Sequence, residues 1–286
     1  NVVNAIWGQK DFPFLSSYLD LLAKNYGAGL RIVDFIKAPE ESRQTINKWV
    51  SEKTEEKIKE LLPKGSIDET TRLVLTNAIY FNAAWLCPFE KEATANDVFK
   101  TLDGKTVNVP FMNQQESFNY ARGTDYQAIE LPYDGRELSM VIILPNSDKF
   151  TEFESALNYG KLNEIMQNLK RAEVKLSMPK FKIESEFSLK DSLSKLGMPV
   201  AFTDQADFSG MDGKLDLMIS DVVHKAFISV DEAGTEAAAA TGVIVGITSA
   251  PMEIVNLKID HPFIFLIRDI PTGAIIFTGR VVNPVN

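Results

Sequence analysis

The stretch Asp231-Glu-Ala-Gly-Thr-Glu-Ala-Ala-Ala-Ala-Thr-Gly-Val-Ile-Val-Gly-Ile-Thr-Ser-Ala-Pro251 is unlike the rest of this chain. It follows a strand-like run, 215–230. For about twenty residues it is small, nearly uncharged and unpunctuated, and so long a structureless connection is usually functional or disordered. From Glu232 to Asn256 there is no Lys or Arg. Three readings are open. A short helix would use Thr235 as N-cap and Ala237 to Ala240 as its interior, but Gly234, Gly242 and Gly246 argue against a long one. A solvated linker would not carry Val243, Ile244, Val245 and Ile247, which prefer a half-buried pleated surface. The third reading fits both halves: a loop exposed in one state that becomes a β-strand in another. As a strand, Thr235, Ala237, Ala239, Thr241, Val243, Val245 and Ile247 share one face. Glu236, Ala238, Ala240, Gly242, Ile244 and Gly246 share the other, which takes the charge of Glu236.

Several motifs resemble those of a known family. Glu232-Ala-Gly-Thr-Glu-Ala-Ala-Ala-Ala-Thr241 resembles the proximal hinge of the reactive-centre loop of inhibitory serpins. Leu257-Lys-Ile-Asp-His-Pro-Phe-Ile-Phe-Leu-Ile267 is similar to the family's C-terminal signature, continued by Pro271-Thr-Gly and Phe277-Thr-Gly-Arg-Val-Val-Asn-Pro284. Asn77-Ala-Ile-Tyr-Phe81 with Trp85 and Pro88-Phe89 resembles strand 3 of the family's sheet A. The resemblance extends over the whole chain and is nearest to inhibitory members of prokaryotic type. It implies an α+β serpin fold: a large mixed sheet A, smaller sheets B and C, helices packed around them, and a reactive-centre loop at 232–251. Asn1-Val-Val-Asn-Ala-Ile-Trp-Gly-Gln9 resembles the start of strand 2 of sheet A. The expectation is therefore one serpin domain, 1–286, lacking the family's N-terminal helices.

Composition narrows the alternatives. The chain has 286 residues, enough for a substantial core. Its net charge of −9 argues against a nucleic-acid footprint. No apolar run approaches the ~18 residues of a membrane span. One cysteine, Cys87, forbids an internal disulfide and leaves the compartment open; a secreted or extracellular protein is the expectation. Enzyme chemistry finds little support. Cys87 with His224 or His261 could formally pair a thiol with a base, but Cys87 lies between Leu86 and Pro88, where packing explains it better. Two histidines and one cysteine make no convincing zinc site. Gly27-Ala-Gly29 lacks the third glycine and the strand-then-helix setting of a dinucleotide loop. No catalytic residue, cofactor or metal is expected.

Local patterns give the elements. Residues 14–26 read as an amphipathic helix stopped by Gly27, and 30–35 as an edge strand. Pro39 opens a helix with Glu40 and Glu41 in its first turn. The apolar residues Ile46, Trp49, Val50, Ile58, Leu61 and Leu62 carry it to 62. Residues 72–85 read as one long mixed strand. The span 106–144 reads as successive strands with turns at Gly104, Gly123 and Asp134-Gly135. One or two short helices follow within 150–169, then a strand at 174–183 and a helix at 189–196 ended by Gly197. On 222–230, alternation puts His224, Ala226, Ile228 and Val230 on one face and Lys225, Phe227 and Ser229 on the other.

The resemblance also implies roles. His224 and Asn77 match the family's shutter pair, on the strands 5 and 3 that part to admit the loop. Glu232, Lys180 and Trp85 match the breach, the top of sheet A where insertion begins. The hinge is Glu232, Gly234, Thr235, Glu236, Ala237, Ala238, Ala239, Ala240 and Thr241. Its inward residues, Thr235, Ala237 and Ala239, are small. The family's register puts the scissile bond sixteen residues beyond Glu232, between Thr248 and Ser249. No Lys, Arg, Leu or aromatic residue precedes that bond, so the implied target is an endopeptidase with a small or medium apolar pocket, elastase-like or subtilisin-like, with a papain-like cysteine protease also open. The expected state is a monomer able to polymerise through loop insertion, with no nucleic-acid or membrane partner. A non-inhibitory serpin, or a truncated inactive homologue acting as a binding or structural protein, is the alternative.

Overall fold

Helix α2 shows how local signals and tertiary structure divide the work. The computed structural model describes residues 2–26, 29–235 and 253–285. In it, α2 runs Pro39–Lys53 with Glu40 and Glu41 in its first turn, and it buries Ser42, Arg43, Ile46, Asn47 and Val50. That is the one-sided 3–4 spacing of a helix packed on a core. The helix does not reach residue 62. Thr54, fully buried, ends it, and Glu55 and Glu56 adopt positive φ of 52° and 60°. The Thr54 hydroxyl donates to the Val50 carbonyl (2.9 Å) and accepts the Ile58 amide (3.2 Å). Asn47 Oδ1 then accepts the amides of Leu61 (3.0 Å) and Leu62 (2.8 Å). The apolar residues Ile58, Leu61 and Leu62 are thus returned to the core by a side-chain-bonded loop. Their periodicity reported burial correctly and helical continuity wrongly.

In chain order the elements are β1 (Val2–Gln9), α1 (Ser16–Tyr26), β2 (Arg31–Val33), α2, β3 (Leu73–Tyr80), β4 (Ala83–Ala84) and β5 (Ala95–Lys100). Next come β6 (Thr106–Arg122), β7 (Tyr126–Pro132), β8 (Leu138–Pro145), α3 (Phe150–Ala156), α4 (Tyr159–Asn168), β9 (Lys170–Pro179) and β10 (Phe181–Ser188). The chain then forms α5 (Lys190–Lys195), α6 (Ser209–Asp212), β11 (Val223–Val230), β12 (Gly234–Thr235), β13 (Val255–Lys258), β14 (Phe263–Asp269) and β15 (Ile275–Val281). The helical stop expected at Gly27 lies outside the described residues. The expected strand 72–85 breaks after Tyr80, where β3 ends its pairing with β11, and resumes as β4, whose partner is β12. The strand-like run 215–230 forms a strand only from Val223; Leu215 and Met218 are exposed and outside any ladder. Strand β5, rich in Asn and Asp, was not legible because those residues are depleted in strands.

The chain folds into two compact units, Asn1–Tyr80 with Glu184–Phe227, and Phe81–Ile183 with Ile228–Asn286. In the first, β1 lies between β2 (parallel) and β3 (antiparallel), and β3 pairs in parallel with β11. Its core gathers Val3, Ala5 and Trp7 of β1, Ile46 and Val50 of α2, Ala78 and Tyr80 of β3, and Phe227 of β11. The second unit holds a mixed sheet in the order β13-β9-β6-β7-β8-β14-β15, with β5 on the edge of β6. Its interior strands are buried on both faces: every residue of Ser139–Pro145 is buried. This is why Met140-Val-Ile-Ile-Leu144 is an unbroken apolar run rather than an alternation. The architecture is the mixed α+β class expected, with large mixed sheets and a few helices.

Candidate functional site

Two constellations expected from sequence are assembled, one in each unit. In the first unit the ladders pair Asn4 with Asn77 and Asn77 with His224. Residues in register across a sheet point to one face. Val3, Ala78 and Lys225 therefore point to the opposite face, the first two into the core. Asn77 Oδ1 lies 2.7 Å from His224 Nδ1. Its amide nitrogen donates to Asn4 Oδ1 at 2.6 Å. Because Asn77 presents an oxygen, Nδ1 of His224 carries the proton and donates. Burial lowers the pKa of His224, so the imidazole is neutral near pH 7. Asn4 was missed in the sequence, although its place between Val3 and Ala5 marks a polar residue on the face opposite the core.

Lys225, beside His224, is also buried. Its ammonium meets Glu184 at 3.0 Å, Glu186 at 3.3 Å and the carbonyl of Glu60 at 2.8 Å. Burial alone would lower its pKa, but the two carboxylates raise it overall. A lysine among alternating apolar residues is legible as a paired charge only once β10 supplies the glutamates.

The second constellation surrounds the start of the hinge. Glu232 is 4% exposed, and its carboxylate meets Lys180 Nζ at 2.6 Å and the Thr94 hydroxyl at 2.7 Å. Burial pushes its pKa up, but the bonds from Lys180 and Thr94 and the Lys180 charge bring it below the usual value. Trp85 is buried and stacks on Tyr133 with ring centres 4.7 Å apart and planes 7° from parallel. Its indole nitrogen donates to the Asp231 carbonyl at 2.9 Å. Backbone bonds continue the attachment, from Phe89 to the Glu232 carbonyl (2.9 Å) and from Trp85 to the Ala233 carbonyl (3.0 Å).

Gly234 and Thr235 form β12, antiparallel both to the end of β11 at Val230 and to Ala83–Ala84 of β4. A Cβ on Gly234 would stand 2.2 Å from the Ala83 carbonyl oxygen and 2.7 Å from the Ala84 Cα, so only glycine lets the hinge approach. Thr235 is fully buried, and its hydroxyl shares a 2.7 Å hydrogen bond with that of Tyr133. Burial raises the Tyr133 phenol well above its ordinary pKa and keeps it neutral. Thr94, Asp231 and Tyr133 were missed in the sequence; only Tyr133, in Leu131-Pro-Tyr-Asp-Gly135, carried a local signal, that of a turn. The hinge residues Glu236, Ala237, Ala238, Ala239, Ala240 and Thr241, and the Thr248-Ser249 bond, lie outside the described residues.

The remaining reactive groups are occupied elsewhere. His261 directs Nδ1 to Asp260 and Nε2 to the Pro145 carbonyl, each at 2.8 Å. Both partners are acceptors, an arrangement that favours the doubly protonated ring. Burial would lower its pKa, but Asp260, the carbonyl and the charge of Asp148 raise it overall. Cys87 is half-buried, and burial raises its thiol pKa, away from nucleophilic use. Among the described residues no group of three or more His, Cys, Asp or Glu side chains could hold a metal ion.

The family described as Serpin (serine protease inhibitor) matches residues 1–284, and the chain belongs to it. Human Serpin B3 is 43% identical over 289 residues, an alignment covering 99% of this chain and 74% of that protein. Leukocyte elastase inhibitor of Sus scrofa is 44% identical over 293 residues, covering 99% of this chain and 77% of the other. The crystal structure of uncleaved ovalbumin superposes with a TM-score of 0.88 at 29% identity, covering 99% of this chain and 73% of that one. These relatives overturn one expectation. Serpin B3 and leukocyte elastase inhibitor are intracellular serpins, so the secreted or extracellular placement is withdrawn. A lone cysteine carried no information on compartment.

Proposed function

We propose that this chain inhibits an endopeptidase as a suicide substrate. The observation that carries the reading is β12: the hinge enters a sheet at Gly234–Thr235, with Thr235 fully buried, before any cleavage of the chain. The residues that follow on the same face in sequence, Ala237 and Ala239, are small enough to continue that strand. In this reading the protease's nucleophile adds to the carbonyl carbon of Thr248, the Ser249 amine leaves with a proton, and an acyl-enzyme forms. The loop, free at one end, continues the strand that β12 begins and carries the acylated protease away before water deacylates it. The driving force is strain released on insertion. Asn77, His224 and Asn4 act as the shutter between β3 and β11, and Glu232, Lys180 and Trp85 as the breach.

Thr248 suits a small or medium apolar primary pocket, elastase-like or subtilisin-like, and the resemblance to leukocyte elastase inhibitor supports an elastase-like serine protease. Incubation with pancreatic elastase or subtilisin should give a complex that survives a denaturing gel, with release of a peptide beginning at Ser249. Cleavage without any such complex would refute inhibition.

A further inference from the structure

The buried pair Tyr133–Thr235 has a chemistry that the ion pair and the indole beside it do not explain. A hydroxyl taken from water into an apolar interior is unfavourable unless it is hydrogen-bonded. Here two are buried together, Tyr133 at 1% exposure and Thr235 at 0%, and each satisfies the other at 2.7 Å. The phenol is held by parts of the fold that do not include the hinge. Its ring stacks on Trp85 and meets Phe81 edge-on at 5.1 Å, and its amide donates to the Leu138 carbonyl at 2.9 Å. The hydroxyl of Tyr133 is therefore a placed acceptor and donor waiting for a partner. The partner comes from the first inward hinge position, whereas the next two inward residues, Ala237 and Ala239, bring no hydroxyl.

We propose that Tyr133 is a positioning residue for loop insertion: its hydroxyl holds Thr235 docked, so that insertion extends from a pair already formed. If Thr235 left the sheet, a neutral phenol would stay unpaired in an aromatic core, and this biases the hinge toward the docked form. Thr235 already pairs with Val230 on one side and Ala83 on the other. The bond thus belongs to both the starting and the extended strand, and it does not have to break as insertion proceeds. The proposal rests on the inhibitory reading above for its consequence, which is the partition between trapping a protease and being cleaved as a substrate.

Tyr133→Phe, Thr235→Val and the double variant test it in the intact chain. Each single change should speed hydrogen exchange of the 231–235 amides about fivefold. Where wild type traps a protease, each should also raise the number of inhibitor molecules cleaved per protease trapped. The double variant should show no more than the larger single effect in both, because the two changes remove one and the same bond. Exchange in both single variants equal to wild type would overturn the proposal, as would a double variant showing the sum of the single effects, the pattern of general loosening. The exchange arm needs no protease. A wild type that forms no protease complex refutes inhibition while exchange still judges Tyr133; normal complexes with unchanged exchange refute the role of Tyr133 alone.

Discussion

The row Asn4–Asn77–His224 and the cluster around Glu232 and Thr235 are both polar assemblies on strands, but they are built by opposite means. The row is joined by two bonds between uncharged side chains, and its members are exposed or half-buried. The cluster joins a buried carboxylate paired with the half-buried Lys180, a buried hydroxyl pair, an indole-to-carbonyl bond and several backbone bonds around two stacked rings. A few neutral bonds near solvent separate at little cost, because water replaces them. Charges and hydroxyls in an apolar setting do not separate cheaply. Strands that must part fit the first design, and a segment that should stay seated fits the second. The contrast supports the roles proposed for them.

The contrast can be broken by mutation. Trp85→Ala should have the largest effect, about 4 kcal/mol lost in urea unfolding, because it removes a buried indole and uncovers Tyr133. Lys180→Met should cost about 2 kcal/mol, since Glu232 stays buried with only Thr94 as side-chain donor; 1 M NaCl should shrink the difference. Asn77→Ala should cost about 1 kcal/mol, insensitive to salt, and should favour latent or polymeric forms on warming. An Asn77→Ala effect larger than that of Trp85→Ala, or one that vanishes in salt, would erase the distinction.

Acid should sharpen it. The folded pKa of His224 lies below its ordinary 6.5, so its contribution is complete above about 6.5 and is lost as pH falls from there toward the folded value. Glu232 has a folded pKa below 4.5, so its contribution persists until pH falls through that lower range. At pH 5.5, hydrogen exchange corrected for intrinsic rate should therefore rise across 74–79 and 223–227 and stay unchanged across 231–235. Equal loosening of both would refute the separation. The smallest effect belongs to His261. Its folded pKa is raised, so its stabilisation is complete below about 6.5 and declines as pH rises through the folded value. His261→Gln should flatten that decline in thermal midpoint between pH 6 and 9.

Much of this was legible because it is local. The alternation of β11 placed His224 and Lys225 on opposite faces, and the turn residues Gly123 and Asp134-Gly135 separated β6, β7 and β8 at the observed places. Asn77 stood out as an amide in an apolar run. Family motifs added its pairing with His224 and that of Lys180 with Glu232, neither of which spacing alone could supply. What stayed illegible depends on partners remote in sequence. Tyr133 read as a turn residue because its partner is 102 positions away. Thr94 and Asn4 looked like ordinary polar surface for the same reason.

By itself the sequence determined the α+β class, the serpin motifs, the run of small residues after Gly234 and the faces of β11, since periodicity and side-chain size are properties of a short window. Tertiary structure decided where α2 stops, that Lys225 is a paired buried charge, and that Thr235 is already seated against Val230 and Ala83. The end of α2 depends on buried bonds from Thr54 and Asn47 to the loop that follows it, and the other two on partners brought by remote segments; in each case the free energy of a buried polar group is set by whether its partner arrives.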